Sequence, residues 1–395
     1  MRSTPRAEAF PAHTPAAAQI FTTVLSHGPL TRSDMAARAG LSAAAVTKAV
    51  RPLIEAGYLM EDADDEARPS LGRPANPVRV DGGRALFIGV KVTADEIIAV
   101  LTDLCCRIRV ARHVPLESRE PKAVLASIAA LAQELLTEAD GFGVPVQGLG
   151  VAVSGDVDRA AGAVRFSPFL EWRDLPLGEL VEMTTGLPVT VDNDVRALTV
   201  AEQWFGAGVG LSDFAVVTVG AGIGCGLVVH GKVVSGAHGV AGEIGHVVID
   251  PTGPPCHCGN RGCAEAIAAD PAIVTAVRTA TGLPVADAAQ ALDLARQGDP
   301  GAREVYARAG DAIGRAIATV ANLLGPERVI ISGEGLAAYD LFAEQIRDAF
   351  ASSAFGTAAQ CDLLTRPLPF DEWARGAAAT AIQSFISGPT RGGKE

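Results

Sequence analysis

Apolar residues in the first sixty positions recur at helical spacing between glycine-marked turns. The first run predicts a helix that ends at Gly28 and Pro29, because glycine and proline terminate helices. Residues 31–34 form a capping-box-like start for a short second helix, and Ser42 can cap a third. The apolar positions of the first and third helices are Ala17, Ile20, Phe21, Val24, Leu25, Val46, Ala49, Val50, Leu53 and Ile54. Residues 1–14 are rich in proline and alanine, and we expect them to be disordered.

Beyond residue 80 the pattern changes to apolar strands that alternate with amphipathic helices. Strands are predicted at residues 86–92, 97–102, 106–113, 148–154, 188–191, 214–219, 227–229 and 329–332. Helices are predicted at residues 121–139, 195–205, 301–324 and 371–387. The last helix is expected to pack back on the first of two lobes. This order predicts an α/β fold that follows an N-terminal helical segment.

The order helix, short helix, glycine turn and helix in residues 15–57 is typical of a helix-turn-helix. Small residues near the start of the third helix let its backbone approach a groove, and longer donors then reach bases or phosphates. Residues 58–60 and 77–80 can pair as the strands of a wing. The candidate DNA contacts are Ser42, Ala44, Thr47, Lys48, Arg51 and, entering a minor groove, Arg73. An ordinary three-helix bundle with a solvated polar face is the alternative.

The charge distribution refines this interpretation. The net charge of −12 excludes a uniformly basic nucleic-acid binder. The first 80 residues nevertheless carry nine Lys and Arg against eight Asp and Glu, and five of those acids stand in residues 61–66. This acidic run would repel phosphate, so we expect it to point away from a bound duplex.

The length and the cysteine content limit the classes of protein to which this chain can belong. The 395 residues suggest two or three domains, and no apolar run reaches the roughly 18 residues of a membrane span. The N-terminus lacks a secretory signal pattern. Seven cysteines, three of them clustered, fit a reducing compartment better than a disulfide framework. A cytoplasmic location is therefore expected.

Residues 214–229 predict a glycine-rich hairpin, with glycine at positions 220, 222, 224 and 226. Glycine at every second position lets a backbone, a sugar or a phosphate approach closely. The run is not a dinucleotide fingerprint, because no helix opens after its last glycine. A hairpin packed against a neighbouring segment is the alternative.

Cys256, Cys258 and Cys263 are spaced for a metal, with glycines between them and His246 ten residues upstream. Three thiolates and one imidazole form a closed four-coordinate set that is typical of structural Zn²⁺. Such a metal would contribute directly to folding. Free thiols in a loop are the alternative.

Asp192, Asn193 and Asp194 stand where a predicted strand meets a predicted helix. Asn193 can donate and accept hydrogen bonds, and Asp194 can accept from two hydroxyls, so this pair suits a sugar. A helix N-cap followed by a turn is the alternative for the same residues.

Three motifs together resemble the ROK family of repressors, open reading frames and sugar kinases. They are T-V-G-x-G-I-G-x-G from residue 218, G-E-I-G-H from residue 242 and C-x-C-G-x-x-G-C-x-E from residue 256. The resemblance covers nearly the whole chain. It implies an actin-like (ribonuclease-H-like) sugar-kinase fold of two lobes with a sugar in the cleft between them. The N-terminal segment resembles the winged helix-turn-helix that regulators of this family carry.

The resemblance also assigns site residues. Glu243, His246 and Glu265 would bind sugar hydroxyls, and His246 would hold zinc through its other nitrogen. Gly155 would lie in the loop over the sugar, and Asp194 matches the general base of ROK sugar kinases. The implied domains are a tail at 1–14, the DNA-binding domain at 15–80, a first lobe at 81–195 with 371–395, and a zinc-containing lobe at 196–370.

Kinases of the family bind phosphate with a D-x-G-G-T loop, whereas residues 91–95 here read K-V-T-A-D. Lys91 replaces the acid, both glycines are lost, and Asp95 would repel a polyphosphate. We therefore expect no catalytic residue, and we predict a sugar-responsive transcriptional regulator, a repressor, bound to operator DNA as a homodimer or dimer of dimers. An ATP-dependent sugar kinase with an accessory DNA-binding head is the alternative, and a zinc sensor is a third.

Overall fold

The computed structural model describes residues 10, 11, 14–62 and 76–388. They divide into two compact units. The first unit contains the described residues up to Gly210 together with those from Asp371 onward, and the second runs from Leu211 to Phe370. The predicted lobe boundary at residue 195 stays a prediction. The division between the compact units falls about fifteen residues later, because the helix that begins at Asp194 packs within the first unit.

The N-terminal part of the first unit, called the head here, has the predicted helices and strand pair. Its elements are α1 (Pro15–His27), α2 (Arg32–Ala39), α3 (Ala43–Glu55), β1 (Leu59–Glu61) and β2 (Val78–Val80). Thr31 and Asp34 form the predicted capping box of α2, and Ser42 caps α3 by accepting from the N–H of Ala45. The strands are antiparallel, with Leu59 opposite Val80. Arg73 lies outside the described residues.

Phe10 contradicts the expectation of a disordered tail. Its side chain is buried, and its ring centroid lies 4.8 Å from that of Phe21 and 5.0 Å from that of Tyr58. The side chain of Thr14 accepts a hydrogen bond from the N–H of Ala17 and so caps α1. The aromatic residue is held because it completes an apolar cluster, which composition alone does not reveal.

The first lobe, in the same unit, is built on a five-stranded sheet. Its elements are β3 (Leu86–Val92), β4 (Glu96–Asp103), β5 (Ile108–Pro115), α4 (Pro121–Asp140), β6 (Val146–Val153), β7 (Asp156–Asp158), β8 (Ala163–Ser167), β9 (Trp172–Leu175), α5 (Leu177–Thr185), β10 (Val189–Asn193) and α6 (Asp194–Phe205). The strand order is β10-β6-β3-β4-β5, and β6 and β10 are parallel to β3. Every residue of β3 is buried, as the continuous apolar run predicts for a central strand.

The second unit repeats this topology. Its elements are β11 (Phe214–Val219), β12 (Ile223–Val229), β13 (Lys232–Val233), α7 (Ala264–Ala268), α8 (Asp270–Thr281), α9 (Ala288–Arg296), α10 (Pro300–Leu324), β14 (Arg328–Ser332), α11 (Tyr339–Ser353) and β15 (Asp362–Thr365). The strand order is β13-β12-β11-β14-β15, with β14 parallel to β11 and β15 parallel to β14. A three-stranded antiparallel meander extended by two parallel strands therefore occurs in both units.

The last helix, α12 (Asp371–Ser387), returns to the first unit and lies on its sheet, as predicted. Glycines make this approach possible: a Cβ at Gly89 of β3 or Gly150 of β6 would overlap the backbone of α12. Near the end of α12, the ring of Phe385 lies 5.4 Å from that of Phe10 and 5.4 Å from that of Phe87. This helix therefore joins the head to the sheet. Within the described ranges, no helix is long and apolar enough to cross a bilayer.

Candidate functional site

Asn193 is the N-cap of α6. Its side-chain oxygen accepts from the N–H groups of Val195 at 3.0 Å and Arg196 at 3.1 Å, and its amide nitrogen donates to the carbonyl of Gly155 at 3.0 Å. The alternative interpretation, a helix cap, therefore describes its contacts in the structure. Gly155 has a φ of 120°, and a Cβ there would overlap the backbone of Phe166, so the turn requires glycine.

The Asp194 carboxylate is buried at the start of α6 and forms an ion pair with the Lys91 ammonium from β3. Ser154, in the turn after β6, donates to Oδ2 of Asp194 at 2.5 Å and accepts from Nζ of Lys91 at 3.1 Å. The N–H of Val195 donates to Oδ1 at 2.9 Å. Burial raises the pKa of the Asp194 carboxyl, but the charge of Lys91 and the hydrogen bonds outweigh it and leave that pKa below its usual value. Asp194 is therefore a charged acceptor at neutral pH.

Asp192 anchors the strand–helix junction from the other side. Its Oδ1 accepts from Nε of Arg196 at 2.7 Å, and its Oδ2 accepts from Nη1 of Arg159 at 3.1 Å. Arg196 also donates to the carbonyl of Val157 in β7 at 2.9 Å. These buried, charge-assisted bonds fix the start of α6, and with it the position of Asp194.

The second unit brings the four predicted metal ligands together. Ligand atoms of His246, Cys256, Cys258 and Cys263 all lie within 4.8 Å of one another. Nδ1 of His246 is 3.5 Å from Sγ of Cys256, and the Sγ atoms of Cys258 and Cys263 are 3.7 Å apart. Tetrahedral Zn²⁺, with bonds of about 2.3 Å to sulfur and 2.0–2.1 Å to nitrogen, places such pairs about 3.5 and 3.8 Å apart. The cluster therefore has the dimensions of a Cys3His zinc site.

The other two predicted sugar contacts of this unit, Glu243 and Glu265, lie near the imidazole of His246. Nε2 of His246 faces Oε2 of Glu243 at 4.0 Å, so its two nitrogens point to different groups. Glu265 accepts from the N–H of Ile223, at the start of β12, at 3.1 Å. Its other oxygen is 3.3 Å from Nδ1 of His257, which the sequence analysis did not single out although it stands between two of the cysteines. Because its side chain is half exposed, His257 adds a polar group that a hydroxyl-rich molecule can reach.

The glycine hairpin of the second unit is partly occupied by an acid. Oε1 of Glu334 accepts from the N–H of Ala221 at 2.9 Å, and a side chain at Gly220 would overlap Glu334. Burial, and then the charge of Glu334, raise the pKa of nearby Asp270 to about 6. A carboxylate thus takes an amide that the hairpin would otherwise offer to a phosphate.

At the turn of residues 91–95 in the first unit, a side chain likewise accepts hydrogen bonds from backbone N–H groups. The Thr93 hydroxyl accepts from the N–H groups of Asp95 at 3.2 Å and Glu96 at 2.9 Å, and it donates to the Glu96 carbonyl. The side chain of Thr93 therefore engages two backbone donors at its own turn.

The predicted DNA-facing residues of α3 lie on one exposed face. Ala44, Thr47, Lys48 and Arg51 are exposed, whereas Val46 on the opposite face is fully buried. The face is not uniformly available: Thr47 donates to the Ala43 carbonyl at 2.9 Å, and Nε of Arg51 pairs with Glu55 at 2.7 Å. Among the residues that the structure describes, Lys48 forms no ion pair.

Two acids of the run at 61–66 are neutralised in the head. Glu61 pairs with Arg32 at 2.6 Å, and Asp62 pairs with Arg79 at 2.5 Å. The remaining acids of the run lie outside the described residues. These pairs reduce the repulsion that the run would exert on a phosphate backbone.

Comparison with known proteins gives consistent relatives. Residues 87–384 match the ROK family. The chain is 32% identical over 332 residues, 80% of each chain, to the DNA-binding transcriptional dual regulator NagC of Escherichia coli (strain K12). It is 37% identical over 276 residues, 65% of this chain and 85% of the relative, to a glucokinase of Thermotoga maritima.

The crystal structure of a ROK family transcriptional regulator, a homologue of the E. coli MLC protein, resembles most of this chain. The TM-score is 0.79 at 28% identity, over 94% of this chain and 96% of that one. The predicted fold, the actin-like α/β fold of ROK regulators and sugar kinases after N-terminal helices, is confirmed. From its motifs, its duplicated sheets and these relatives, the chain belongs to the ROK family.

Proposed function

We propose that this chain is a sugar-responsive, DNA-binding transcriptional regulator, a repressor, which acts in the cytoplasm as a homodimer with one structural zinc ion per chain. One observation carries the proposal: the head and the charged acceptor Asp194 belong to the same compact unit. In addition, Thr93 and Glu334 already engage backbone donors of the two turns that a nucleotide would need. The solved structure that covers 94% of this chain is titled a ROK family transcriptional regulator, which supports the same function.

Helix α6 offers a structural connection between sugar and DNA in the first unit. It begins at Asp194, and Trp204 and Phe205 at its other end line a cavity of about 670 Å³ together with Val24 and Leu25 of α1. A hydroxyl bound at Asp194 would act on one end of a rigid helix whose other end adjoins the head. Such a ligand shifts DNA affinity only by its differential affinity for two arrangements of these elements.

Zinc fits the Cys3His cluster because the distances between donors match those of a tetrahedral site. His246, Cys256, Cys258 and Cys263 would hold the ion. With no further protein ligand needed, the ion would be structural, and it would fix the imidazole of His246 beside Glu243. A zinc-sensing role has no separate observation in its favour.

The experiment that tests the proposal is a gel shift with DNA from upstream of the chain's own gene. D-glucose, D-xylose and N-acetyl-D-glucosamine, each free and phosphorylated, would be added singly. We expect a specific complex that one of these sugars dissociates. A complex that none of them alters would remove the sugar-responsive part, and no complex at all would remove the regulator.

The exposed face of α3 gives a prediction for DNA affinity. Lys48→Ala together with Arg51→Ala is expected to weaken operator binding about 10- to 100-fold, because each removes a cation from the groove-facing side. The dependence of affinity on salt should fall by about one ion per lost phosphate contact. Fluorescence anisotropy over a salt series measures both quantities.

Lys122→Ala is the matched control, because Lys122 is an exposed cation on α4, outside the head. It should change neither the affinity nor its salt dependence. Equal losses in the control and the α3 variant would show that overall charge, rather than α3, governs binding.

The glucokinase relative favours a second candidate, an ATP-dependent sugar kinase. Against it, residues 91–95 lack the D-x-G-G-T pattern, and Glu334 and Asp270 place negative charge beside the glycine hairpin. We predict no ADP release above background with D-glucose or N-acetyl-D-glucosamine. Turnover of about 1 per second or faster, the lower range of kinases, would establish the enzyme instead.

A further inference from the structure

Lys91 is the one cation in the buried central strand β3. Only 4% of the residue is exposed, and its ammonium lies 5.4 Å from the centre of the Trp373 ring on α12. Within the described part of the chain, its ion-pair partner is Asp194, 103 residues away in sequence. A lysine is retained at such a depth only with a partner, so the pair is a built feature of the site.

The hydrogen bonds of the pair leave little capacity unused. An ionised carboxylate offers roughly four lone-pair positions, and an ammonium offers three N–H donors. Asp194 accepts from Lys91, Ser154 and the N–H of Val195. Lys91 donates to Asp194 and Ser154. About one acceptor position on the carboxylate and one donor on the ammonium remain, which suits a single neutral hydroxyl.

We propose that Lys91 is a positioning residue of the sugar site, which keeps Asp194 charged so that it binds one sugar hydroxyl without removing the proton. That a sugar is the ligand rests on the proposed function. That Asp194 is charged rests on its buried pair with Lys91 alone. Asp194 then accepts a hydrogen bond from one sugar hydroxyl, and not from the two that its sequence position suggested.

The same contacts explain why Asp194 does not act as a base. A general base works best when its pKa lies near the operating pH, whereas the pKa of Asp194 is held below its usual value. Protonating Asp194 would also leave the Lys91 ammonium buried without a counter-charge. The site is therefore arranged for binding rather than for phosphoryl transfer.

Other charged groups on the elements around Asp194 have their own partners. On β10 and α6, Asp192 pairs with Arg159 and Arg196. On α12, Glu372 pairs with Arg375. Lys91 is the charge that counters the burial of Asp194, and its removal should therefore let burial raise the pKa of this carboxyl.

Infrared difference spectra test the state of Asp194 without any sugar. Subtracting the spectrum of Asp194→Asn isolates the signal of this one side chain. At pH 7 we expect an ionised carboxylate in the wild type and in Lys91→Arg, and a protonated carboxyl in Lys91→Met. Lys91→Gln, which keeps donors but no charge, carries the same expectation if Lys91→Met does not fold. An ionised carboxylate in the uncharged variants would overturn the proposal.

Calorimetric titration with the sugar that releases DNA tests the consequence. At pH 7, Lys91→Met should bind it about tenfold more weakly, because a hydroxyl donating to a carboxylate is held more strongly than one bonded to a neutral carboxyl. The affinity of Lys91→Met should recover at pH 9, while the wild type and Lys91→Arg stay constant from pH 6.5 to 9. A purely structural role would lower affinity equally at every pH, which would contradict the proposal.

Lys122→Met is the control for loss of a lysine outside the site and should match the wild type in both measurements. If the wild type binds none of the three sugars or their phosphates, the sugar-responsive part of the proposed function fails. The infrared result then still decides whether Lys91 keeps Asp194 charged, so the two failures are distinguishable.

Discussion

Replacing Cys263 with serine is expected to abolish zinc binding and to unfold the segment from Ile244 to Ala268. Cys263 is fully buried beside Cys258, and it directly precedes α7, which carries Glu265. Structural zinc in small peptides contributes about 10–16 kcal/mol, which is comparable with the whole stability of a typical domain, about 5–15 kcal/mol. Zinc content by mass spectrometry and amide exchange of residues 244–268 measure the two effects.

Cys361→Ser supplies the control. Cys361 is a partly exposed free thiol that directly precedes β15, the edge strand opposite β13 in the sheet of the second unit. It should retain its zinc and its exchange protection. Sugar binding should be lost in Cys263→Ser alone, since His246 and Glu265 both depend on the cluster. If Cys263→Ser kept a full equivalent of zinc and normal protection, the Cys3His assignment would be wrong.

Much of the fold followed from local pattern. The capping box of α2 and the apolar stripe of α3 predicted two helices of the head, and the structure has both. The cysteine spacing predicted a convergent cluster, because glycines at 259 and 262 adopt the positive φ values that such tight turns need. These features depend on neighbours in sequence, which periodicity and spacing report directly.

The features that sequence missed depend on distant packing. The compact units divide after residue 210 rather than at the predicted 195, because α6 packs against α12, which begins about 175 residues later. The tail expectation failed at Phe10 because its partner Phe385 stands near the other end of the chain. No local window contains these contacts, so composition favoured disorder and a boundary at the nearest helix start.

The sequence around Lys91 contains a signal for a buried ion pair. Lys91 replaces the acid of the phosphate loop, and it also stands near the end of a continuous apolar strand. A charge in a strand buried on both faces requires a counter-charge, and Asp194 was already a candidate site residue. The sequence therefore carries a signal for the pair of Lys91 and Asp194, but none for its third member, Ser154.

The ion pair has a large expected effect on stability, which a single and a double variant resolve. Asp194→Asn should lower the free energy of unfolding by about 3–5 kcal/mol, because it leaves the Lys91 ammonium buried without its partner. Replacing both members with apolar residues, as in Lys91→Met with Asp194→Leu, should recover most of this loss. Lys91→Met removes the ammonium that would otherwise be buried without a partner.

Urea unfolding followed by tryptophan fluorescence measures the free energy of unfolding of the first unit in these variants. All three tryptophans, Trp172, Trp204 and Trp373, belong to the first unit, as do both members of the pair. A loss below about 0.5 kcal/mol for Asp194→Asn would place the pair among exposed ion pairs, which contribute little. It would contradict the buried pairing with Lys91 that keeps Asp194 charged. The double variant separates the causes further: if it stays as unstable as Asp194→Asn, lost packing rather than an uncompensated charge is responsible.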